Sequence, residues 1–523
     1  MVNEKQEEQL MLGHQDRLLL YGTVATTGAA VMMLELLGTR IIGPFYGVSL
    51  YVWSSLISVA LIALSLGYYL GGMVADRETR FRLSYAIALA GLATAAIPFL
   101  SRPILLWTDV LGMRGGAFVS ALLLFTTPLT LLGMVGPQVI KMATLRREGV
   151  GMAAGTVYAI STVGSVIGTL LLGFFLLPEL GSRVILYSVS MALVLLAALV
   201  ALYERRRGFD SLGKVVLVGI VTGAGLWLKP GGAPSASGDY RLVHEEESHY
   251  GWVRVIDDRE RRVRWMLSDA SVISALRLDT KGTVLMYQQI ISQLPHLHPR
   301  GQNALLVGLG GGHIAMELEK QGVATDAIEI DPVVAQAAGD FFLFKPPGAL
   351  VVGDARYEIR NLEKRYDFII HDCFTGGSVP SHLLSLEMLR DLDRLLAADG
   401  VLALNFVGFT DGPASAAAEA VYQTLGEVFS QRRTLVSLPG EHFNDFVFLA
   451  SHQPISLDVA PEVLAPDGKT PLSTWLAVRE QEVVGGGALI TDDYNPLEKL
   501  QVAKAEYYRS ILLDRMGPIL MAF

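Results

Sequence analysis

Long apolar stretches fill the first 230 residues, whereas the rest of the chain alternates short apolar and polar runs. A helix needs about 20 apolar residues to cross a hydrocarbon core of about 30 Å. Six stretches reach that length: residues 18–38, 50–73, 83–101, 117–140, 152–177 and 184–203. The pattern therefore predicts an all-α, multi-pass membrane domain over residues 17–230, after a polar N-terminus at residues 1–16.

A seventh apolar segment, Val215 to Leu228, is short and lies between Lys214 and Lys229. The prediction is therefore six or seven membrane helices. Basic residues are concentrated between spans 2 and 3, spans 4 and 5, and spans 6 and 7, and the positive-inside rule assigns these loops to the cytoplasm. If the seventh segment crosses, the C-terminal half lies outside. We expect it not to cross, which puts that half on the cytoplasmic side of the cell membrane.

The fifth span contains two small residues four positions apart, Gly164 and Gly168. Glycines at this spacing lie on one face of a helix and let a second backbone approach closely. We therefore expect this face to pack against another helix of the membrane domain.

The pattern changes after residue 230. Residues 231–239 are rich in small residues and predict a linker, and residues 240–285 alternate in short runs typical of a small antiparallel sheet. Residues 286–455 alternate strands with helices, which predicts a doubly wound, Rossmann-like α/β domain. We expect residues 456–523 to form a C-terminal helical extension. The strands predicted after residue 300 are 304–307, 327–330, 350–352, 368–371, 401–406, 434–438 and 446–450.

Composition supports two unlike halves. The chain has 523 residues, a net charge of −9 and a mean hydropathy of +0.41, and its charged residues are sparse before about residue 235. The acidic balance gives no support for nucleic-acid binding, which favours a basic surface. Cys373 is the single cysteine of the chain, so neither an intrachain disulfide nor a cysteine zinc cluster can form, and we expect no metal.

A glycine-rich loop, Gly308 to Gly312, follows the first strand of the α/β pattern, and a helix is predicted to begin at His313. Glycines allow a tight turn and a close approach of the backbone to a ligand. Alone, this motif is compatible with NAD, FAD or an adenosyl sulfonium compound.

Acidic residues end the next three strands. Glu329 follows the loop at the spacing at which a carboxylate accepts hydrogen bonds from ribose hydroxyls. Asp331 stands before Pro332 and is expected to cap the next helix. Asp354 is placed to accept from an adenine amine, with a turn-forming role as the alternative. Asp372 ends the fourth strand, where open α/β sheets bind ligands, and is a candidate base.

Together these residues resemble the spermidine synthase (polyamine aminopropyltransferase) family, and with the apolar half the chain resembles membrane-fused members. The resemblance runs from residue 240 to 451 and rests on Tyr287-Gln288, Leu294-Pro295, His298-Pro299, the glycine loop, Glu329-Ile330-Asp331, Gly353-Asp354 and Asp372. It implies a class I methyltransferase-type fold. It also implies transfer of an aminopropyl group from decarboxylated S-adenosylmethionine to a diamine, with release of methylthioadenosine.

The resemblance also implies roles for single residues. Asp372 would be the base and Tyr287 would orient the amine. Tyr250 would line the substrate groove. The donor would be bound by Gly308, Gly310, Gly311, Gln288, Glu329, Ile330, Asp354 and Ala355.

Two positions depart from the family. The acid that follows the family's glycine loop is His313 here, and the acid three residues after the base is Thr375. Both changes remove negative charge from a site meant for polyamines, and His313 is compatible with the carboxylate of intact S-adenosylmethionine. Thr375, at the start of a loop expected to cover the site, and His382 are further substrate candidates.

Three functions therefore stay open. The first is an aminopropyltransferase that acts on a small-molecule amine at the lipid bilayer. The second is another S-adenosylmethionine-dependent enzyme, such as a methyltransferase, an aminocarboxypropyl transferase or a lyase. The third is a transporter or sensor that binds polyamine or nucleoside. The acceptor and the oligomeric state are open too, with a homo-oligomer as one option.

Overall fold

The computed structural model describes residues 14–47, 50–77, 81–144, 150–209, 211–228, 236–269, 271–373 and 379–520. They divide into two compact units, with the boundary at residues 233 and 234. The first unit is helical, and the second contains two β-sheets with their helices.

The N-terminal unit is built from nine α-helices in its described part. They are α1 (His14–Tyr46), α2 (Leu50–Asp76), α3 (Leu83–Thr108), α4 (Gly112–Gly133), α5 (Val135–Ala143), α6 (Val150–Leu171), α7 (Leu177–Glu179), α8 (Ser182–Arg206) and α9 (Leu212–Leu228). A π-helical turn, Leu172–Leu176, joins α6 to α7.

Five helical runs are long and apolar enough to cross a membrane, judged by length and composition. One of them, Leu83–Ala143, has 61 residues and includes both the third and the fourth predicted spans. Its helices α3 and α4 pack against each other, and Gly112 between them has a positive φ of 70° that an L side chain rarely adopts. The predicted seventh segment forms a shorter apolar helix, Leu212–Gly225.

The two glycines of the fifth predicted span bring α6 against α1, as their spacing predicts. Gly164 and Gly168 are buried and face Ala25 and Ala29, and a Cβ atom on either glycine would collide with the backbone of α1. The close approach allows dispersion contacts between the two backbones. Such contacts drive the association of apolar helices in lipid, where the hydrophobic effect does not favour helix–helix contact.

The C-terminal unit begins with a five-stranded antiparallel sheet. Its strands follow one another in the order β1 (Ala236–Ser237), β2 (Tyr240–Glu247), β3 (Trp252–Asp258), β4 (Val263–Ser268) and β5 (Ser271–Arg277). Asp257 and Asp258 are the last residues of β3. A cross-strand ion pair holds the end of this strand: Asp257 lies opposite Arg264 and accepts two hydrogen bonds from it, at 2.7 and 2.9 Å.

The second sheet has seven strands in the order β11-β12-β10-β9-β6-β7-β8. The strands are β6 (Asn303–Val307), β7 (Ala324–Glu329), β8 (Leu350–Val352), β9 (Tyr366–His371), β10 (Leu396–Phe409), β11 (Gln431–Val436) and β12 (Phe443–Ser451). Five adjacent strands, in the order β10-β9-β6-β7-β8, are parallel, and β12 pairs antiparallel with β10 and β11. The α/β fold with an accompanying antiparallel sheet is the one that the sequence predicts.

Helices cover both faces of this sheet and bury its apolar strands. They are α10 (Met286–Ile291), α11 (Leu294–Leu297), α12 (His313–Lys320), α13 (Pro332–Phe342), α14 (Ala355–Asn361), α15 (Leu386–Leu395), α16 (Ala416–Gly426), α17 (Leu472–Ala477), α18 (Leu497–Leu500) and α19 (Val502–Leu520). Two buried apolar clusters, one on each side, include residues from every central strand. The core thus fixes the strand ends, where the chemistry-bearing residues lie.

Candidate active site

The candidate site lies where the order of the parallel strands reverses, between β6 and β9. Gly308 follows β6 and Asp372 follows β9, and these strands are paired neighbours, with Val307 opposite His371. The Asp372 amide donates to the Val307 carbonyl at 2.8 Å. Open α/β sheets bind ligands at such a switch point, because the loops diverge there and leave a crevice.

The glycine loop is shaped by its backbone and by its neighbours. Gly308, Gly310 and Gly312 have positive φ angles of 91°, 52° and 74°. A Cβ atom at Gly308 would collide with the Asp372 carbonyl, and one at Gly311 would collide with the Ser274 hydroxyl. The glycines are therefore required as much by the close approach of β5 and the β9 loop as by any ligand.

Glu329 holds this loop in place. Its carboxylate accepts from the Leu309 amide at 2.9 Å and from the Asp331 amide at 3.0 Å. Only 7% of its surface is exposed, and burial raises the pKa of Glu329 against the lowering effect of those amides. A carboxylate has about four acceptor positions, so capacity remains for ribose hydroxyls. Ile330, half-buried, follows it directly.

Asp331 caps α13, as predicted: its side chain accepts from the Val333 amide at 2.9 Å. Its other oxygen accepts from the Ser248 hydroxyl at 2.5 Å, which ties the turn after β2 to the carboxyl edge of the large sheet. Tyr250 belongs to this turn and is 41% exposed. Burial raises the pKa of Tyr250, and the charges of Asp331, Asp354 and Glu329 raise it further, so the phenol lies among the strand-end acids.

Asp354 is exposed and caps α14, with its carboxylate 3.0 Å from the Tyr357 amide. Ala355 is buried as the first residue of that helix. The sequence left a turn-forming role as the alternative for Asp354, and the structure gives it a helix-capping role instead. The cap uses one of the two carboxylate oxygens, and a carboxylate can accept about four hydrogen bonds.

Asp372 lies at the centre of a hydrogen-bonded group. It accepts from the Tyr287 hydroxyl at 3.2 Å and from the Asn405 amide at 2.8 Å. Gln288 donates to the Tyr287 oxygen at 3.2 Å, and its own carbonyl accepts from the Thr283 hydroxyl. The structure thus brings Tyr287, Gln288 and Asp372 together.

Burial raises the pKa of Asp372 to about 7, against the hydrogen bonds from Asn405 and Tyr287, which lower it. The nearby charges of Asp445 and Glu329 raise it as well. A base with a pKa near the working pH combines a populated carboxylate with useful basicity. Burial and the charge of Asp372 also raise the pKa of Tyr287 well above its usual value, so Tyr287 acts as a hydrogen-bond donor.

Two residues near Asp372 escaped sequence reasoning: Asn405 on β10 and Asp445 on β12. Asp445 lies opposite Val407 and two residues from the partner of Asn405, and its charge raises the pKa of both Tyr287 and Asp372. These residues stand in no recognisable motif. The sequence signal that could have found them is a polar residue within a largely apolar strand, an amide in β10 and an acid in β12.

His313 is the buried first residue of α12, with 2% of its surface exposed, and burial lowers its pKa to about 4. The imidazole is therefore neutral at neutral pH. Among the described residues, the His313 Nε2 atom and the Ser274 hydroxyl, which lies against Gly311, have no hydrogen-bond partner. Buried polar atoms without partners are costly, and a polar group of a ligand beside the loop would satisfy them.

The segment after Asp372 contributes less to the described site. Thr375 lies outside the described residues. His382 is exposed, and its carbonyl accepts from Arg356 at 2.6 Å. Arg356, on α14, also forms an ion pair with Asp492 near the C-terminus. Buried His371, which the sequence did not single out, donates from Nε2 to the Leu383 carbonyl at 2.8 Å.

No family model matches the chain. Among curated relatives, a polyamine aminopropyltransferase of Vibrio vulnificus is 30% identical over 33% of this chain and 62% of its own length. One from Moorella thermoacetica is 28% identical over 46% of this chain and 88% of its own length. The chain is spermidine synthase-like.

A third relative widens this picture. The N-terminal histidine N-methyltransferase of Emericella nidulans is 31% identical over 33% of this chain and 35% of its own length. The spermidine synthase-like chain thus spans 35%, 62% and 44% of the length of three of its curated relatives.

Solved structures of spermidine synthases align with part of the chain. A probable spermidine synthase from Corynebacterium glutamicum aligns over 47% of this chain and 98% of its own, with 15% identity and a TM-score of 0.37. The spermidine synthase from Thermotoga maritima aligns over 53% and 88%, with 17% identity and a TM-score of 0.36.

Proposed function

We propose that this protein is a membrane-anchored aminopropyltransferase, which transfers an aminopropyl group from decarboxylated S-adenosylmethionine to an amine and releases methylthioadenosine. The observation that carries the proposal is the environment of Asp372. A half-buried carboxylate with a pKa near 7, held by Tyr287 and Asn405, lies at the switch point beside the glycine loop. The similarity to curated polyamine aminopropyltransferases supports the same reaction class.

The donor would occupy the crevice beside the glycine loop. Glu329 would hold the ribose, and Asp354 would accept from the adenine amine with its free oxygen. The loop fits a nucleoside with a polar tail, because the His313 Nε2 atom and the Ser274 hydroxyl have no hydrogen-bond partner among the described residues. Gly308, Gly310, Gly311, Gln288, Ile330 and Ala355 are proposed to line this part of the site.

The chemistry assigned to the protein is proton removal and positioning. The amine nitrogen forms a bond to the carbon next to sulfur, the carbon–sulfur bond breaks, and its electron pair leaves with neutral methylthioadenosine. Asp372 takes the proton that the amine loses, and Tyr287 holds the carboxylate in place. The rest of the rate acceleration comes from holding the donor and the amine together in the geometry that the reaction requires. Tyr250 would line the acceptor side of the groove, with His382 from the segment after Asp372.

The membrane attachment is part of the proposal and rests on the five helical runs that are long and apolar enough to cross a bilayer. A polyamine aminopropyltransferase 1 of Streptomyces coelicolor is 24% identical over 73% of this chain, a larger share than residues 234–520 make up, so the similarity includes part of the N-terminal unit.

Methyl transfer from intact S-adenosylmethionine is the second candidate, and two observations favour it. His313 is neutral where the family places an acid for the aminopropyl ammonium. One of the relatives that the chain resembles is a histidine N-methyltransferase. In this reaction Asp372 would accept the proton of a methylated amine or imidazole.

Product analysis separates the candidates. The detergent-solubilised full chain is incubated with decarboxylated or intact S-adenosylmethionine, each with and without an amine. Methylthioadenosine that forms only with the decarboxylated donor and an amine supports aminopropyl transfer. Adenosylhomocysteine supports methyl transfer instead, and methylthioadenosine from the intact donor without amine indicates a lyase. Tight binding without any product contradicts an enzyme and supports a transporter or sensor.

The variant Asp372→Asn tests the assigned base. We expect turnover to fall about 10²- to 10⁴-fold, the usual contribution of general acid–base catalysis, while donor binding is retained. Asp340→Asn, at an exposed acid on α13, is the matched control and should keep full activity. Unchanged turnover in Asp372→Asn rules out its role as base.

A further inference from the structure

Arg356 connects three parts of the C-terminal unit. It lies in the first turn of α14, and only 13% of its side chain is exposed. Its Nη1 atom is 2.6 Å from the His382 carbonyl and 3.3 Å from the Ser385 hydroxyl. Nη1 is also 2.8 Å from one carboxylate oxygen of Asp492, and Nη2 donates to the other. The guanidinium thus joins α14 to the residues before α15 and to a turn near the C-terminus.

The turn that carries Asp492 is anchored by its own backbone. The Asp492 amide donates to the Glu387 carboxylate at 3.0 Å, and the Ile490 carbonyl accepts from the Leu386 amide at 2.8 Å. Because both bonds reach the start of α15, the turn stays docked there without Arg356. The Asp492 carboxylate therefore holds the guanidinium in place, and a bidentate pair of this kind fixes its direction as well as its distance.

Residues 379–385, which we call the bridging segment, contact the strand that carries the proposed base. The Leu383 carbonyl accepts from Nε2 of His371 at 2.8 Å. His371 is fully buried and directly precedes Asp372. This hydrogen bond fixes one side of the bridging segment to the carboxyl end of β9.

The other side of the bridging segment lies at the start of α14, where the proposed adenine ligand is. Leu383 and Val379 belong to the same buried apolar cluster as Ala355, the residue after Asp354. Arg356 comes next in the helix and bonds to the bridging segment directly. The bridging segment thus extends from the base to the acid proposed for the adenine amine, and Arg356 fixes it at the adenine end.

We propose that Arg356 is a positioning residue for the donor: paired with Asp492, it holds the bridging segment against α14 and so shapes the adenosine end of the donor site. The inference rests on the proposed function, because it takes the sheet edge at Asp354 as the place where adenosine binds. It goes further in making the donor site depend on a C-terminal carboxylate that touches no reactant.

Binding of methylthioadenosine tests the inference without turnover. Its affinity for the detergent-solubilised full chain is measured by calorimetry. In Arg356→Met, which keeps the apolar stem and removes the guanidinium, the affinity should fall about tenfold or more, the scale of one hydrogen bond to a charged group. The affinity for S-adenosylmethionine should fall by the same factor, since both ligands carry the adenosine. A loss confined to S-adenosylmethionine would place the effect at the tail of the donor and overturn the inference.

Arg360→Met is the matched control. Arg360 lies on the same helix and forms an ion pair with Asp391 of α15 at 3.1 Å, and 57% of its side chain is exposed. The control removes an arginine and an ion pair from α14 without changing a residue that bonds to the bridging segment. Methylthioadenosine affinity should therefore be unchanged in Arg360→Met, and an equal loss in both variants would overturn the inference.

Asp492→Asn tests the ion pair from its other side and keeps the guanidinium. It should also weaken methylthioadenosine binding, and combining it with Arg356→Met should cause no further loss, because the carboxylate acts only through Arg356. Losses that add would show that the two residues act separately, which overturns the inference. Arg356→Lys keeps the charge without the planar fork and should bind methylthioadenosine more tightly than Arg356→Met.

Steady-state kinetics with the decarboxylated donor give a second readout. In Arg356→Met the KM for this donor should rise about tenfold or more. The values of kcat and of the KM for the amine should change little, because the base and the acceptor side are untouched. A fall in kcat with an unchanged donor KM would contradict a positioning role for Arg356.

The outcomes separate the inference from the proposed function. Unchanged methylthioadenosine affinity in folded Arg356→Met and Asp492→Asn proteins overturns the inference even if the wild-type protein makes product. Weaker binding in these variants, together with a wild-type protein that forms no product from either donor, keeps the inference and overturns the proposed reaction. A wild-type protein that binds neither methylthioadenosine nor S-adenosylmethionine overturns the inference as well.

Discussion

Asp372 combines two properties that a solvent-exposed carboxylate lacks. Withdrawal from water raises its pKa to about 7, and hydrogen bonds from Tyr287 and Asn405 fix both of its oxygens. The raised pKa makes Asp372 a better proton acceptor, and the two hydrogen bonds fix the orientation of its carboxylate. Because both come from neighbours, changes to those neighbours should alter the pH dependence of the reaction in a direction that the structure specifies.

We expect turnover at saturating substrate to rise with pH through an apparent pKa near 7. Asp372 has a raised pKa, so it is protonated below that value and cannot accept a proton, and it becomes a competent base above it. Rates measured from pH 5.5 to 9 test this. A profile that is flat between pH 6 and 8 would contradict the assignment of Asp372 as the base.

Two substitutions should move that profile in opposite directions. Asn405→Ala removes a hydrogen bond that lowers the pKa of Asp372, so the rise should shift to higher pH. Asp445→Asn removes a negative charge that raises it, so the rise should shift to lower pH. Shifts of the same sign in both variants would show that the two residues act by disturbing the fold instead.

His313 offers a test of the donor. His313→Asp places an acid where the family has one, at the start of α12. We expect the preference for decarboxylated over intact S-adenosylmethionine, measured as a ratio of binding constants, to rise about tenfold or more, since the acid attracts the aminopropyl ammonium and repels a carboxylate. His313→Asn, which adds no charge, is the control. An unchanged ratio would place the donor's tail away from His313.

At the scale of elements, the site depends on how closely β5 approaches the glycine loop. Gly310 and Gly311 lie against Ile273 and Ser274 of β5, and Glu329 fixes the loop from the other side through the Leu309 amide. The Ser248–Asp331 hydrogen bond joins the two sheets a second time. The small sheet thus forms part of the wall of the site.

A matched pair of glycine substitutions tests this junction. Gly311→Ala would place its Cβ atom against the Ser274 hydroxyl, so we expect a lower melting temperature and weaker donor binding. Gly339→Ala, within α13, meets no atom closer than 3.9 Å and should stabilise the protein by about 0.5–1 kcal/mol, the helix-propensity difference. Thermal unfolding of both variants measures the difference, and equal melting temperatures would contradict the tight junction.

For the whole molecule, the proposed membrane attachment raises the question of which side carries the C-terminal unit, since that side decides which donor and acceptor it can meet. The positive-inside rule assigns the basic loops to the cytoplasm. If the seventh segment does not cross the membrane, the C-terminal unit lies on the cytoplasmic side too. The helix Leu212–Gly225 belongs with the shorter apolar helices, so the expectation stays a prediction that labelling can test.

Cysteine labelling is direct because the chain has one native cysteine and it is buried. In a Cys373→Ala background, Lys469→Cys in the exposed turn of the C-terminal unit should react with a membrane-impermeant maleimide only after cells are permeabilised. Val110→Cys, between α3 and α4 and 86% exposed, should react in intact cells. Labelling of both positions in intact cells would place the C-terminal unit outside.

The sequence by itself determined what depends on local order along the chain. The apolar spans, the strand–helix alternation, the Gly164–Gly168 packing face and the Asp331 cap follow from periodicity and from side chains that act on their own backbone. The tertiary structure decided which distant side chains share a charge environment. Asn405 and Asp445 reach the neighbourhood of Asp372 from two strands that follow it far along the chain. Only packing brings them together, and burial raises the pKa of both Asp372 and Asp445.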